Sequence, residues 1–548
     1  MAQEQHLDAL VVGAGLTGIY ALHSLLGEGL TVQAVEKANE VGGTWYANKY
    51  PGALSDTWSY VYRYSFDKEL LQNYPAARWY STQPEILDYL KHVVEKHDLR
   101  KHIQFNTEMM AAHWDDDAKR WKVQCQTGDV FHVRYLITAP GLLVKPNMPA
   151  IPGFDTFQGQ IGHTATWDSS IQLENKRVGV VGVGSSGVQV VTAIASKVKS
   201  LHVFIRRPQY SVPTNDRPIT PEEREAINKQ YPEIWNDVNS SVLGMGFPEP
   251  ARSFMSVEPQ EREKIMEGIW KTGNALQLMF GAFSDIAVDK AANEEVCRFL
   301  RKKIAGIVKD PQKLDVLTPK EPFARRPLSD GGYFKQFNRE NVHAIDVMKH
   351  PITEVTPGGM RTADGKLHEL DVIIIATGFQ AIDGSYAQME IRGRQKSDNL
   401  RDLWKRVGLR AYMGCSVSGY PNLLMALGPM VAFSNIPPLA QTHVDFLRVL
   451  IRRAEEISKQ TGRQCEIEAT EQAEQDWAEV CDKAAGMTLF PQTSSWLFKT
   501  DVPGKEKATL FYLRGLGRFR ATLDEIKAQG FTGFKGPFGP SEEQRARL

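Results

Sequence analysis

Hydrophobic residues near the start of the chain form two short runs that flank a glycine-rich segment. Leu7–Val12 is an apolar run of strand length, and the glycine-rich residues 13–18 follow it directly. Ile19–Leu26 then has helical spacing, and Leu30–Val35 is a second strand candidate that ends in Glu36. A strand, a tight turn and a helix in this order predict the start of a β-α-β unit.

The same succession returns further along the chain. Arg177–Val181 is a strand candidate, the glycine-rich residues 182–187 follow it, and Leu201–Ile205 is the next strand candidate. A late apolar run, Val372–Ile375, leads into Ala376-Thr377-Gly378. Two such starts predict an α/β fold with two Rossmann-like dinucleotide-binding domains.

Helical patterns fill most of the remaining chain. Residues 82–85 and 220–223 both have the spacing of a capping box, which opens a helix. From 220 to 319 the chain is charged and poor in strand-like runs, which predicts a helical insertion, and the part from Thr442 onward is also mostly helical in pattern. Proline and glycine residues in Pro140–Gly153 indicate a domain boundary.

The first glycine-rich turn has the spacing that a dinucleotide requires. In such turns the first glycine permits the bend, the second lets the backbone approach the pyrophosphate, and the third lets helix and strand pack closely. These three glycines are Gly13, Gly15 and Gly18, with Ala14 between the first two, and Glu36 stands where an acid binds ribose hydroxyl groups. The pattern favours FAD or NAD.

The second turn lacks an acid at the matching place. Arg206 and Arg207 follow its next strand instead, and a guanidinium can chelate the oxygens of a 2′-phosphate. NADPH is therefore the predicted nucleotide. The turn itself carries Gly182, Gly184, Ser185, Ser186 and Gly187.

The composition excludes several other classes of protein. The 548 residues carry 65 Lys+Arg and 65 Asp+Glu, and this zero net charge argues against nucleic acid or a membrane surface as partner. The five cysteines form no Cys-x-x-Cys pair, and no clustered ligand set indicates a metal. No signal region and no run of ~20 apolar residues is present, so the cytoplasm is the predicted compartment.

Residues 157–168 carry the most specific string. Phe157, Gly159, His163, Trp167 and Asp168 fit F-x-G-x-x-x-H-x-x-x-W-[PD]. This string resembles the fingerprint of type I Baeyer–Villiger monooxygenases. Flavin monooxygenases that oxygenate nitrogen and sulfur have a similar string ending in Tyr or Phe, so Trp167-Asp168 favours the ketone-oxidising branch.

The resemblance continues over nearly the whole chain. Residues 43–56 look like G-x-W-x-x-x-x-[FY]-P-G-x-x-x-D, and further matches lie at 324–328, 376–378 and 495–496. It implies an enzyme with FAD that uses NADPH and O2 to form a C4a-peroxyflavin. One oxygen atom is then inserted beside the carbonyl of a small ketone, which gives an ester or a lactone.

The resemblance also implies roles for single residues. Arg326 aligns with the catalytic arginine, whose fixed charge stabilises a negative oxygen, and Asp56 near the flavin orients it. Arg325 helps Arg206 to hold the 2′-phosphate, and Trp496 lies against the nicotinamide nucleotide. Flavin contacts are implied for Thr44, Trp45, Tyr46 and Tyr62, nicotinamide-nucleotide contacts for Ser185, Ser186 and Gln189, and substrate contacts for Leu142, Leu143 and Phe433.

By the same resemblance, His163 lies in the linker between the nucleotide domains and couples cofactor binding to domain position. The implied domains are 1–150 with 371–548 for FAD, 151–219 with 320–370 for NADP, and 220–319 as an insertion in the latter. The chain departs from the family's pattern at Ala47, at Trp58 and in the loop 428–433. The preferred ketone therefore stays open.

Three alternatives remain at this point. A nitrogen- or sulfur-oxygenating flavin monooxygenase shares both turns, but it needs no arginine to stabilise a carbonyl adduct. A flavin disulfide reductase needs a redox cysteine pair, and no two cysteines here are close in sequence. The third alternative binds both nucleotides without substrate turnover. The oligomeric state is open, and a monomer is compatible with the sequence.

Overall fold

A mixed sheet of eight strands forms the first part of the fold. The structure is a computed structural model that describes residues 3–500 and 507–538. Glu4–Val12 lies at the centre of the sheet, parallel to Val32–Val35 on one side and to Val130–Thr138 on the other. The strand order is Glu390–Arg392, Met109–Asp115, Arg120–Cys125, Val130–Thr138, Glu4–Val12, Val32–Val35 and Ile103–Gln104, and Leu423–Met425 also pairs with Val130–Thr138.

A second sheet of five parallel strands forms the other part. Its order is Gln160–His163, Val372–Ile375, Arg177–Val181, Ser200–Ile205 and Val342–Asp346. The helices Leu16–Leu26 and Ser185–Ile194 each follow the glycine turn of one sheet. The predicted fold class, two Rossmann-like units, is confirmed.

The strand Val372–Ile375 moves one of the predicted boundaries. It pairs with both Gln160–His163 and Arg177–Val181, so it lies inside the second sheet. A boundary at 370/371 would separate this strand from both strands with which it pairs, so this part of the domain prediction is wrong. Beyond residue 378 the strand Phe379–Gln380 pairs with Lys145–Pro146, and the chain rejoins the first sheet at Glu390–Arg392.

Both predicted capping boxes are present. The Glu85 carboxylate accepts a hydrogen bond from the Thr82 amide at 2.8 Å, and Glu223 accepts one from the Thr220 amide at 3.0 Å. Residues 220–319 contain no strand in this fully described segment. They form the helices Pro221–Lys229, Tyr231–Ser240, Pro259–Thr272, Ala275–Phe280, Lys290–Ile307 and Pro311–Leu317.

The remaining elements are short, apart from the helix Gln83–Lys96 and three helices near the end of the described chain. The other helices are Thr44–Ala47, Lys68–Asn73, Gln83–Lys96, Tyr333–Gln336, Asp383–Tyr386, Leu400–Val407, Ile436–Thr461, Glu471–Gly486 and Leu516–Ala528. The other strands are Leu54–Trp58, Tyr80–Thr82, Lys145–Pro146, Ser211–Pro213, Leu328–Asp330, Ile352–Thr356, Gly359–Thr362, Leu367–Glu369 and Phe379–Gln380. Within the described ranges, the structure contains no helix with the length and apolar character of a membrane span.

The centre of the first sheet gives a stability prediction. Trp121 is fully buried, its ring centroid lies 5.6 Å from that of Trp114, and its indole N–H donates to Pro421 O at 2.8 Å. We expect Trp121→Ala to lower the free energy of unfolding by about 3–5 kcal/mol, because it leaves a cavity. Urea denaturation measures the change, and Val480→Ala on the surface is the control; a loss below ~1 kcal/mol would contradict this packing.

Candidate active site

A cavity of about 550 Å³ lies at the carboxyl ends of the strands of the first sheet. Val12 and Val35 end two of these strands and line the cavity. Ser185 and Gln189, from the helix that follows the second glycine turn, line it on another side. Ligands of open α/β sheets bind at this end of the strands.

Many of the predicted site residues meet in this cavity. Those that line it are Gly13, Gly15, Glu36, Thr44, Trp45, Tyr46, Asp56, Tyr62, Leu142, Leu143, Ser185, Gln189, Arg326, Phe433 and Trp496. The others do not line it: Ala14, Gly18, Gly182, Gly184, Ser186, Gly187, Arg206, Arg207, Arg325, Phe157, Gly159, His163, Trp167 and Asp168.

The two glycine turns have matching geometry. Gly13 and Gly182 both have φ near +102°, and a Cβ there would lie 2.5 Å from Ala139 O and 2.6 Å from Ala376 O. In each turn, a Cβ on the third glycine, Gly18 or Gly187, would overlap the carbonyl of the first. Each turn is therefore closed tightly over the start of its helix, which leaves the amides of that first turn for a phosphate.

Glu36 holds the first turn from the neighbouring strand. Its carboxylate accepts hydrogen bonds from Ala14 N at 2.7 Å and from Ala38 N at 2.9 Å. The side chain is buried and borders the cavity. A carboxylate in this position can accept further hydrogen bonds from ribose hydroxyl groups.

Arg326 and Asp56 form a two-bond ion pair at the cavity wall. Nη1 of Arg326 lies 2.5 Å from Oδ2 of Asp56, and Nη2 lies 2.7 Å from Oδ1. Burial opposes the charge on Arg326, but the Asp56 carboxylate outweighs this effect and raises the pKa of the guanidinium. A permanent cation therefore faces the cavity with its orientation fixed.

Two tyrosines surround this pair. The Trp45 indole donates to Tyr62 Oη at 3.0 Å, and burial raises the pKa of Tyr62 to about 12. The Tyr50 hydroxyl donates to Gln189 Oε1 at 2.8 Å, and Gln189 Nε2 donates to Leu54 O at 3.1 Å. Gln189 therefore ties the helix of the second turn to the strand Leu54–Trp58, which carries Asp56.

Arg325, the sequence neighbour of Arg326, lies in a cluster of positive charge with Arg206 and Arg207. Arg325 forms an ion pair with Glu321, whereas Arg207 Nε lies 3.7 Å from the same carboxylate and Arg207 Nη1 donates to Ser494 Oγ at 2.9 Å. Burial lowers the pKa of Arg325, and the charges of Arg207 and Arg206 act in the same direction against Glu321. The buried Nε of Arg325 has no hydrogen-bond partner within the described chain. Arg325 and Arg207 carry more positive charge than the single carboxylate of Glu321 balances, and this excess suits an anion.

Apolar side chains form another part of the cavity wall, here called the apolar end. Trp496 lies with its ring centroid 6.4 Å from Phe433 and 5.6 Å from Phe511. The sequence did not indicate Phe511, nor the cavity residues Leu243, Met245 and Leu276 of the helical segment. None of these four residues lies in a motif. The sequence shows only that they are hydrophobic, and this does not distinguish them from residues of the core.

The fingerprint residues do not line the cavity, but they flank Ala165 and Thr166, which do. Gln160–His163 is the edge strand of the second sheet, and His163 Nδ1 accepts a hydrogen bond from Ala165 N at 3.0 Å. Burial lowers the pKa of His163, which favours the neutral ring. Trp167 covers Gly162, where a Cβ would lie 3.1 Å from the indole. The turn that these contacts fix presents Ala165 to the cavity.

Ala47 and Trp58, two positions at which the chain differs from the family's pattern, have different surroundings. Ala47 lines the cavity, so its small side chain adds space there. Trp58 stacks on Tyr60 with ring centroids 5.7 Å apart, and its indole donates to Tyr80 Oη at 3.2 Å. Trp58 therefore belongs to an aromatic cluster behind the cavity and not to its lining.

His443 gives a prediction for the pH dependence of stability. Its Nδ1 accepts from Leu427 N at 3.0 Å, its Nε2 donates to Met413 O at 3.0 Å, and Leu427 lines the cavity. Burial lowers the pKa of His443 from 6.5 to about 4.

The folded state thus binds this proton less tightly than the unfolded chain. The contribution of His443 is complete above pH 6.5 and is lost as the pH falls towards 4, by up to roughly 1.4 kcal/mol per pH unit. Urea midpoints of the protein and of His443→Gln between pH 7 and 5 test this. Equal slopes for the two proteins would show that His443 does not titrate as described.

Comparisons with known proteins find relatives that match nearly the whole chain. A family model described as flavin-binding monooxygenase-like matches residues 8–212. A Baeyer–Villiger monooxygenase from Pseudooceanicola batsensis is 44% identical over 96% of this chain and 95% of its own length. A phenazine N-monooxygenase from Lysobacter antibioticus is 43% identical over 96% of this chain and 97% of its own length.

Solved structures give the same result. The crystal structure of cyclohexanone monooxygenase from Rhodococcus sp. Phi1 bound to NADP+ is 45% identical, covers 97% of this chain and 99% of its own, and superposes with a TM-score of 0.94. Both the sequence and the fold match over nearly the full length. The chain therefore belongs to the family of Baeyer–Villiger flavin monooxygenases.

Proposed function

We propose that the protein is an FAD- and NADPH-dependent monooxygenase that converts a ketone into an ester or a lactone with O2. The observation that carries this proposal is the Arg326–Asp56 pair at the wall of an otherwise largely apolar cavity. Among the flavin monooxygenase reactions considered, addition to a carbonyl is the one that needs a fixed cation beside the reacting oxygen.

The residues present fit both cofactors. The first turn, with Gly13, Gly15 and Glu36 at the cavity, suits the pyrophosphate and ribose of FAD. The second turn and the cluster of Arg206, Arg207 and Arg325 suit NADPH, because the guanidinium groups of Arg207 and Arg325 share the single carboxylate of Glu321 in the described chain and can attract a 2′-phosphate. Trp496 is proposed to contact the nicotinamide nucleotide, since it borders the same cavity.

Bound FAD, reduced by NADPH, supplies the activation of dioxygen. The chain itself supplies charge, orientation and exclusion of water. Arg326 stabilises the negative charge that develops on the carbonyl oxygen of the substrate, and Asp56 fixes the direction of the guanidinium through two hydrogen bonds. Because Arg326 remains protonated, this stabilisation does not depend on proton transfer.

The apolar end of the cavity selects the kind of substrate. Leu143, Leu243, Met245 and Phe433 present hydrocarbon surface there. Such a surface binds an uncharged ketone and excludes water from the reacting atoms. We propose Leu142, Leu143 and Phe433 as substrate contacts for this reason.

Oxygenation of nitrogen is the second candidate function, because a relative of nearly equal identity is named a phenazine N-monooxygenase. One experiment separates the two. NADPH consumption is followed with cyclic ketones, a thioether and phenazine in parallel, and the products are analysed by mass spectrometry. We expect lactone from at least one ketone; N-oxide alone, with no ester from a broad ketone panel, would favour the second candidate.

Location and assembly stay predictions. All five cysteines are buried and none forms a disulfide, which supports the cytoplasm as the compartment. A single chain supplies every residue assigned above to the site, so a monomer is sufficient for the proposed reaction.

A further inference from the structure

The loop 241–249 forms part of the cavity wall, although it lies in the helical segment and in neither large sheet. Leu243 and Met245 line the cavity, and they are only 1% and 8% exposed. Both pack in one cluster with Leu276 and Phe433. The conformation of this loop therefore decides which apolar atoms a substrate meets.

Glu249 folds this loop back on itself. Its Oε1 and Oε2 accept hydrogen bonds from Val242 N at 2.9 and 2.8 Å, and Oε1 also accepts one from Leu243 N at 3.2 Å. Burial raises the pKa of Glu249, although the two amides lower it, and no basic side chain of the described ranges pairs with it. A half-buried carboxylate without a cation is held by these amides alone.

The carbonyl of Leu243 carries a second anchor. It accepts hydrogen bonds from Ser434 Oγ at 2.7 Å and from Asn435 N at 2.8 Å. The Asn435 side chain donates to Gly244 O at 2.9 Å and to Val61 O at 3.0 Å. The loop is therefore bonded directly to the cavity residues Ser434 and Asn435, and through Asn435 to Val61, which precedes the cavity residue Tyr62.

We propose that Glu249 is a positioning residue for ketone specificity: its carboxylate holds loop 241–249 in the shape that presents Leu243 and Met245 to the substrate. This inference rests on the proposed oxygenation of ketones. Glu249 does not line the cavity itself, so it acts only through the loop. Its effect is therefore on the shape of the apolar end and not on Arg326.

The test compares the holoenzyme with its Glu249→Ala and Glu249→Gln variants. Hydrogen exchange of the peptide that spans 241–249 reports on the loop directly. Calorimetric dissociation constants, and KM and kcat where esters form, are measured for cyclohexanone and for a macrocyclic ketone. In Glu249→Ala we expect faster exchange and an increase of about tenfold in Kd and KM for cyclohexanone, with kcat nearly unchanged. The Kd and KM for the macrocyclic ketone should rise less, because the released loop leaves more space at the apolar end of the cavity.

Glu249→Gln keeps one carbonyl acceptor, so its exchange and its Kd should lie between those of the other two proteins. Glu267→Ala is the matched control, because Glu267 is a half-buried glutamate of the same helical segment that pairs with Lys303 away from the cavity. Unchanged exchange in Glu249→Ala would overturn the proposal, and so would faster exchange with the same ratio of the two dissociation constants as in the unaltered protein. If the unaltered protein binds ketones but forms no ester, the proposed function fails, while exchange and binding still decide the role of Glu249.

Discussion

Replacement of Arg326 by alanine is expected to lower ester formation by at least about 100-fold while FAD stays bound. The substitution removes the cation that faces the cavity and leaves Asp56 without its two hydrogen bonds. Neither glycine turn contacts this side chain through a hydrogen bond, so both nucleotides should still bind. Flavin content, the rate of flavin reduction by NADPH and the yield of ester are measured on the same preparation.

A matched control is available on the surface. Arg217 makes the same two-bond contact with Glu223, at 2.8 and 2.6 Å, but it does not border the cavity. Arg217→Ala should therefore leave ester formation unchanged. Arg326→Lys keeps the charge but not the planar pair of donors, and we expect intermediate activity from it. Ester formation by Arg326→Ala at the rate of the unaltered protein would remove Arg326 from the mechanism.

Replacement of Gly184 by valine is expected to have the second-largest effect, on the use of NADPH. The backbone of Gly184 has φ −74° and ψ −169°, which any residue adopts, and a Cβ there would meet no protein atom within 4 Å. The fold should therefore accept the larger side chain. It would stand at the start of the helix, where the pyrophosphate must approach the backbone, so kcat/KM for NADPH should fall by about 100-fold.

Gly358→Val is the control for this substitution. Gly358 also lies in open space, in the turn before the strand Gly359–Thr362 and away from the cavity. Thermal denaturation and flavin content should be unchanged in both variants, and steady-state kinetics with NADPH should change in Gly184→Val alone. Normal NADPH kinetics in Gly184→Val would show that the second turn does not bind this nucleotide.

Local features of the sequence predicted the elements that hold the nucleotides. The strands before Gly13 and Gly182, the helices after them and both capping boxes depend on neighbouring residues, so a pattern of a few positions is enough to predict them. The ion pair between Arg326 and Asp56 joins residues far apart in the chain. It was anticipated only because both residues stand in strings that resemble a family.

Other parts of the site depend on packing between residues far apart in the chain, and the sequence did not predict them. Met245 and Phe511 reach the cavity from the helical segment and from near the end of the described chain, and no periodicity separates them from core residues. The domain boundary predicted at 370/371 separates Val372–Ile375 from the strands with which it pairs, because an apolar run does not indicate its partners. The hydrogen bonds of Glu249 could not be predicted from the sequence either, since its partners are backbone amides.

The central claim is that Arg326 and the nucleotide turns together serve the transfer of one oxygen atom from O2 to a ketone. The direct test is a single incubation of the holoenzyme with NADPH, a cyclic ketone and ¹⁸O2, followed by mass spectrometry of the product. We predict a lactone that carries one heavy oxygen atom, formed in step with NADPH consumption. A product without heavy oxygen, or NADPH consumption without lactone for every ketone tried, would contradict this account.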